Sequence, residues 1–143
     1  MPMADNKDVI RRFTEQVLNE GRFEQMDELV REDFVELDPL PGQSQGRAGL
    51  QEVIRQMRGA FPDMHWVIEE MIGEDDKVCT RFTWTGIHRG PFMGVPATMR
   101  SVTVKGVVID RLHSGKMADS RILMDTLGLM QQLGMLPQVS QTT

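Results

Sequence analysis

Residues 98–124 are TMRSVTVKGVVIDRLHSGKMADSRILM, the stretch of the chain with the clearest structural pattern. Apolar and polar side chains alternate over residues 98–113, which is typical of a half-buried strand. Ser114 and Gly115 then supply a turn, and a second strand runs from Met117 to about Met124. The pattern predicts two antiparallel strands joined by a tight turn.

The second of these strands has two chemically different faces. Successive side chains of a strand point to opposite sides, so Ala118, Ser120, Ile122 and Met124 share one face. We interpret this face as the wall of a pocket that carries one hydroxyl group and is otherwise apolar. The opposite face is charged, and we interpret it as solvated or as a dimer contact.

The sequence outside this stretch predicts helices first and strands afterwards. Apolar residues at i, i+3 and i+4 spacing indicate three helices. The first ends at Gly21, the second covers residues 23–30, and the third ends near residues 59–62. Prolines and glycines indicate loops over residues 37–46 and 89–96. Two further strands are predicted over residues 64–72 and 77–88, with a turn at 73–76.

This order of elements indicates an α+β fold in which the N-terminal helices pack against one face of a curved antiparallel sheet. Residues 125–136 are expected to be helical, and residues 137–143 to form a frayed tail. A chain of 143 residues is expected to form one domain, residues 1–143, that buries about two-thirds of its unfolded surface.

Composition places the chain among ordinary globular proteins. It is 40% hydrophobic and 26% charged, with a net charge of −5 and no basic stripe of the kind that nucleic-acid binding requires. Its apolar runs are short, and its N-terminus lacks the order of a signal peptide, so we expect no membrane association. A single cysteine, Cys79, cannot form an internal disulfide, which suits the cytoplasm.

Three segments carry motifs that occur together in one known family. The first runs from Gly115 to Asp125 and includes the following Gln132-Leu133-Gly134. The second combines Phe61-Pro62-Asp63 with the glycine-rich run 86–98, and the third runs from Phe34 to Gly42. These motifs resemble those of the SnoaL-like polyketide cyclases, also called ester cyclases, of the nuclear-transport-factor-2-like superfamily. The resemblance extends from about Val9 to Leu136.

The resemblance implies a cone-shaped α+β barrel around a deep pocket, which is the usual shape of a site for a small molecule. The expected ligand is a small apolar or aromatic molecule. The resemblance also implies a homo-oligomer, either a dimer or a tetramer, and it implies neither a cofactor nor a metal.

The family's chemistry requires a buried acid that this sequence has lost. These cyclases close a ring by intramolecular aldol condensation, in which a carboxylate removes a proton from a carbon next to carbonyl groups. Burial must raise the pKa of such a base toward neutrality. The family places the carboxylate at the position of Ile122 and a histidine at about Val108. Both residues are aliphatic here, which puts classical aldol cyclase activity in doubt.

Asp125, His88 and Arg81 are the candidate catalytic residues that remain. Asp125 stands at the predicted strand-to-helix junction, where the alternative role is a helix N-cap. His88 stands between Gly86 and Gly90 at the end of a strand, where the alternative role is to hold loop backbone groups together.

Arg81 lies on a predicted strand, on the same face as Thr83. Related epoxide hydrolases of the superfamily use an Asp-Arg-Asp set with the arginine at this place. The two aspartate places are Thr83 and Ile122 in this chain, so two members of the set are missing. The alternative is an ion pair at the rim with one of three acidic residues, Asp63, Asp76 or Glu70.

Two hypotheses of different class follow. The first is a protein that binds a small apolar or aromatic molecule without classical cyclase chemistry. The second is a cyclase, isomerase or lyase that uses Asp125, His88 or Arg81, which requires a titratable side chain with a raised pKa inside the pocket. In both cases the predicted pocket-lining residues are Val108, Ser120, Ile122, Met124 and Trp84.

Overall fold

A computed structural model describes residues 3–135, over which four α-helices pack against a five-stranded curved sheet. The helices are α1 (Met3–Arg12), α2 (Met26–Leu29), α3 (Gly46–Ala60) and α4 (Thr126–Gln132). The strands are β1 (Val30–Glu36), β2 (His65–Glu74), β3 (Lys77–Ile87), β4 (Ser101–His113) and β5 (Lys116–Met124). The α+β class is confirmed. The predicted frayed tail, residues 137–143, lies outside the described residues.

The N-terminal helical segment is longer than α1 itself. It continues as a π-helical stretch, Phe13–Asn19, and the chain reverses at Gly21, whose φ of 71° favours glycine. Phe13 and Val17 on this segment are buried against the sheet side of the molecule. The helix predicted to end at Gly21 is therefore present, and its apolar face supplies one wall of the interior.

The sheet has the strand order β1-β5-β4-β3-β2. Neighbours from β2 to β5 pair antiparallel, as predicted, but β1 pairs parallel to β5. The prediction of a wholly antiparallel sheet was therefore wrong at this edge, and no strand was predicted there. In β1 only Val30, Phe34 and Glu36 are buried, so the strand lacks the regular alternation that revealed the others.

Cross-strand register sets which side chains face each other inside the sheet. Val108 of β4 lies opposite Ile122 of β5. One step along the same face, Asp110 of β4 lies opposite Ser120 of β5. Ser120 in turn pairs with Glu36 of β1, so three adjacent strands bring Glu36, Ser120 and Asp110 to one level of the sheet.

Helices α1 and α3 cover the inner face of the sheet and enclose the core with it. Two clusters of buried apolar residues form this core, one around Trp84 and Phe61 and the other around Phe34 and Val17. Within residues 3–135, none of the helices has the length and hydrophobicity that crossing a membrane requires.

Candidate functional site

A largely apolar cavity of about 100 Å³ lies between the inner face of the sheet and the helices α1 and α3. Its walls include side chains from both helices and from all five strands. Phe13 and Ile54 contribute from the helical segments, and Phe82 contributes from β3. An enclosed apolar space with a few polar groups is the usual form of a small-molecule site.

Three of the four residues on the predicted pocket face of β5 line this cavity. Ala118 does not, and Met117 lines the cavity instead, because the β4–β5 register shifts between Arg111 and Leu112. Ser120, Ile122 and Met124 all contribute to the wall, together with Val108 from β4. Trp84, the fifth predicted residue, is fully buried behind the wall, where its Nε1 donates to the Met124 sulfur at 3.4 Å. On the opposite face of the strand, Leu123 is exposed, which is consistent with the alternation.

Asp125 lies outside the cavity and caps helix α4. Its Oδ1 accepts a hydrogen bond from the backbone N–H of Gly128 at 2.8 Å. The first N–H groups of a helix have no partner within the helix, and an aspartate at this position satisfies one of them. Asp125 therefore has the geometry of a helix N-cap, which is the alternative role considered for it. Its side chain is exposed.

His88 and Arg81 also lie away from the cavity and from each other. His88 is buried, stacks on Phe61 with ring centroids 5.3 Å apart, and accepts at Nδ1 from the Thr98 backbone N–H at 3.2 Å. Arg81 is exposed, and its Nε donates to Glu70 Oε1 at 3.1 Å. The structure does not bring the three candidate residues together, and none of them lines the cavity.

Asp110 is a buried carboxyl group in the cavity wall. It is only 3% exposed, and its Oδ1 has no hydrogen-bond partner among residues 3–135. The pKa of Asp110 is raised to about 7, chiefly by burial and also by the negative charge of Glu36, while a hydrogen bond from Ser120 acts in the opposite direction. Asp110 is therefore a carboxyl group that can hold or release a proton near neutral pH.

Glu36 is the second buried carboxyl group in the same wall. It is 8% exposed, and its Oε2 accepts from the Asp38 backbone N–H at 3.0 Å. Burial raises the pKa of Glu36 to about 7, although the backbone N–H groups of Asp38 and Ile122 act in the opposite direction. Glu36 and Asp110 therefore both favour the protonated form far more than exposed carboxyl groups do.

The charge of Glu36 affects the titration of Asp110. The two carboxyl groups flank Ser120 at one level of the sheet, and the charge of Glu36 is among the causes that raise the pKa of Asp110. Because both groups have a pKa of about 7, they titrate over the same pH range. Near pH 7 the pair therefore holds one proton on average, which leaves one group as a base and the other as an acid.

Two further polar groups in the cavity wall lack a hydrogen-bond partner within the described part of the chain. They are the Thr80 hydroxyl and the Trp66 indole N–H, and both are buried. Thr80 pairs across the sheet with Val108, the inward neighbour of Asp110 on β4. Buried polar atoms are normally hydrogen-bonded, so both groups are free to donate a hydrogen bond to a molecule in the cavity.

Sequence reasoning missed Asp110 and Glu36, although one of them left a signal. On β4 the inward positions are Val102, Val104, Gly106, Val108, Asp110 and Leu112, so Asp110 is the one polar side chain of the series. Burying a carboxyl group costs free energy, so its presence on the inner face indicates a function, and this could have identified Asp110. Glu36 gave no such signal because the strand that carries it was not predicted.

Comparison with known proteins assigns the family. The family model of the SnoaL-like polyketide cyclases matches residues 8–133. None of the curated proteins matches the chain significantly. TsrD of Streptomyces laurentii has a similar structure, with a TM-score of 0.87 and 28% identity over 95% of this chain and 99% of that one.

Two other solved structures show the same fold. IdmH of Streptomyces antibioticus gives a TM-score of 0.80 with 28% identity and covers 90% of this chain and 98% of its own. A SnoaL-like polyketide cyclase of Agrobacterium tumefaciens gives 0.76 with 17% identity over 90% and 98%, and at this identity the likeness is one of fold. With the family model matching nearly the whole described chain, the protein belongs to the SnoaL-like polyketide cyclase family.

Proposed function

We propose that the protein is an acid/base enzyme that removes a proton from a carbon next to a carbonyl group, using the Glu36–Asp110 pair. The observation that supports this proposal is the pair itself, since two buried carboxyl groups with a pKa of about 7 face one apolar cavity. Burying such groups costs stability, and perturbed carboxyl groups in a cavity are typical of catalytic sites.

The proposed first step uses Asp110 as the base. Its unpartnered Oδ1 takes the proton, the C–H bond breaks, and the electron pair moves into the adjacent carbonyl group to give an enolate. The Thr80 hydroxyl, also unpartnered, is suited to donate a hydrogen bond to the oxygen on which charge develops.

The second step depends on the substrate and uses the proton of Glu36. In a ring closure, the enolate carbon forms a bond to a second carbonyl carbon of the same molecule, and that oxygen takes the proton. In an isomerisation, the proton returns to a different carbon. Either product has the same composition as its substrate. Asp110 then passes the proton that it took to Glu36, which returns both groups to their starting states. The apolar lining favours a small, flat and largely apolar molecule.

A proton-exchange experiment tests this proposal. The probe is 2-tetralone in D₂O, whose C1 hydrogens are acidified by the ketone and the ring, and deuterium incorporation is followed by NMR. We expect exchange above the buffer rate, with a maximum near pH 7, where the pair holds one proton. Asp110→Asn and Glu36→Gln preserve size and are each expected to lower the protein-catalysed rate by about 100-fold or more.

Matched variants on the outside of the protein serve as controls. Asp125→Asn and Glu70→Gln make the same chemical changes at exposed positions and are expected to leave the rate unchanged. An unaltered rate in Asp110→Asn would show that Asp110 is not the base. If the wild-type protein binds 2-tetralone but catalyses no exchange, the apolar cavity serves for binding alone, which is the first hypothesis from the sequence.

A further inference from the structure

The indole N–H of Trp66 is a buried, unpartnered polar group in the cavity that the proposed reaction does not use. The residue is 7% exposed and lines the cavity, and none of the described residues, 3–135, forms a hydrogen bond with its Nε1. Its ring packs against Phe82 at a centroid distance of 4.6 Å and stacks on Trp84 at 6.0 Å, and neither ring offers a hydrogen-bond acceptor in its plane. A buried indole N–H normally has a partner, which here must come from the contents of the cavity.

The protein holds the backbone of Trp66 with two hydrogen bonds from one side chain. Asn19 Oδ1 accepts from the Trp66 backbone N–H at 2.7 Å, and Asn19 Nδ2 donates to the Trp66 carbonyl at 3.0 Å. Arg58 Nη1 in turn donates to the Asn19 carbonyl at 2.9 Å. These bonds fix the strand that carries the indole to the end of the N-terminal helical segment, so the donor is held in place before any ligand binds.

Trp84 shows how the same fold satisfies an indole N–H when no ligand is needed. Its Nε1 donates to the Met124 sulfur at 3.4 Å, and the residue does not line the cavity. The two tryptophans are opposite each other in the β2–β3 register, so they differ mainly in what their N–H groups contact. Trp84 is therefore a matched internal control for Trp66.

Trp66 and the carboxyl pair lie at different levels of the sheet. Trp66 pairs with Trp84, whereas Asp110 pairs with Val78, and the levels of Phe82 and Thr80 lie between them. Along β4 and β5 the side chains at these intermediate levels are apolar, with Val108 opposite Ile122. Between the Trp66 level and the carboxyl pair, the sheet wall of the cavity is thus apolar except for the Thr80 hydroxyl.

We propose that the substrate carries a second hydrogen-bond acceptor, remote from the reacting carbon, that binds the indole N–H of Trp66. This inference rests on the proposed function, because it takes the Glu36–Asp110 level as the reacting end. The substrate class is then a flat apolar carbonyl compound with a further carbonyl, nitrile or ring nitrogen at its far end. Trp66 acts in orientation, since an acceptor held there fixes which carbon faces Asp110.

Two probes of equal size test the proposal. 6-Cyano-2-tetralone has an acceptor nitrogen at its far end, and 6-ethynyl-2-tetralone replaces that nitrogen with a C–H group. Calorimetry on the full-length protein is expected to give about fivefold tighter binding of the nitrile, the contribution of one neutral hydrogen bond. Replacing the Trp66 indole by the isosteric benzothiophene ring, with Trp66→Phe as a second variant, should abolish this preference. The benzothiophene replacement at Trp84 should preserve it.

Any other result of these binding measurements contradicts the proposal. Equal affinities in the wild-type protein, or no binding of either probe, would exclude this substrate class. If the preference for the nitrile survives replacement of the Trp66 indole, Trp66 is not the donor. The same conclusion follows if replacement of the Trp84 indole abolishes the preference equally. Deuterium exchange of the same probes separates the two proposals. Exchange that requires Asp110 without a Trp66-dependent preference contradicts only this inference, and a Trp66-dependent preference without exchange contradicts only the proposed function.

Discussion

Two neighbouring cross-strand pairs on the inner face of the sheet have opposite chemistry. Val108 and Ile122 form an apolar pair, at the places where the family resemblance implied a histidine and a catalytic aspartate. One step along, Asp110 lies opposite Ser120, and Glu36 joins them from β1. The acidic function that is absent from one level is thus present at the next, in the same cavity. A missing residue at a family position therefore says little until its neighbours on the same face are known.

The largest effect expected from the difference between these two pairs is on how the stability of the protein depends on pH. Unfolded carboxyl groups titrate near pH 4, but burial raises the pKa of Asp110 to about 7 in the folded state. Between these values the folded protein holds more protons than the unfolded chain, so this group's contribution to stability falls as pH rises through the window and is lost above pH 7. From pH 5 to pH 8, the wild-type protein should lose about 3 kcal/mol more stability than Asp110→Asn does.

Urea unfolding of both proteins at the two pH values measures this difference. Taking the difference between the proteins cancels the contributions of the exposed carboxyl groups that they share. Parallel pH profiles would mean that Asp110 titrates like an exposed aspartate, and the contrast with the apolar pair would then have no consequence for proton chemistry.

The second prediction concerns a carboxyl group introduced at the apolar pair of Val108 and Ile122. Ile122→Asp and Ile122→Asn introduce side chains of equal size that differ in charge above pH 7. At pH 8 we expect the aspartate variant to be less stable by about 2 kcal/mol, because a third carboxylate beside Glu36 and Asp110 is desolvated and repelled. At pH 5, where that group can be protonated, the difference should largely disappear.

Urea unfolding of the two Ile122 variants at both pH values is the measurement. Equal stabilities at pH 8 would show that water reaches this level freely. The cause given for the raised pKa of Asp110, its burial, would then not hold.

The sequence predicted the fold well where each strand shows its own alternation, and less well where pairing depends on distant segments. The hairpin of β4 and β5, and the pocket face with Ser120 and Ile122, follow from local periodicity. Strand β1 lacks that periodicity, and its parallel pairing with β5 joins segments far apart in the chain. Glu36 and Asp110 meet only through this pairing, which no local pattern encodes, so the carboxyl pair could not be predicted.

The smallest expected effect concerns Asp125, the exposed acid that the sequence placed first among the candidates. Asp125→Ala removes the cap on α4, where Oδ1 accepts from the Gly128 N–H at 2.8 Å, and should lower stability by about 1 kcal/mol. Asp125→Asn keeps an oxygen that can accept this bond and should retain most of the stability. Because the side chain lies outside the cavity, both variants should exchange 2-tetralone at the wild-type rate. Thermal unfolding and the exchange assay on the same samples distinguish a cap from a catalytic group, since a base at Asp125 would make the rate fall in both variants while stability fell in only one.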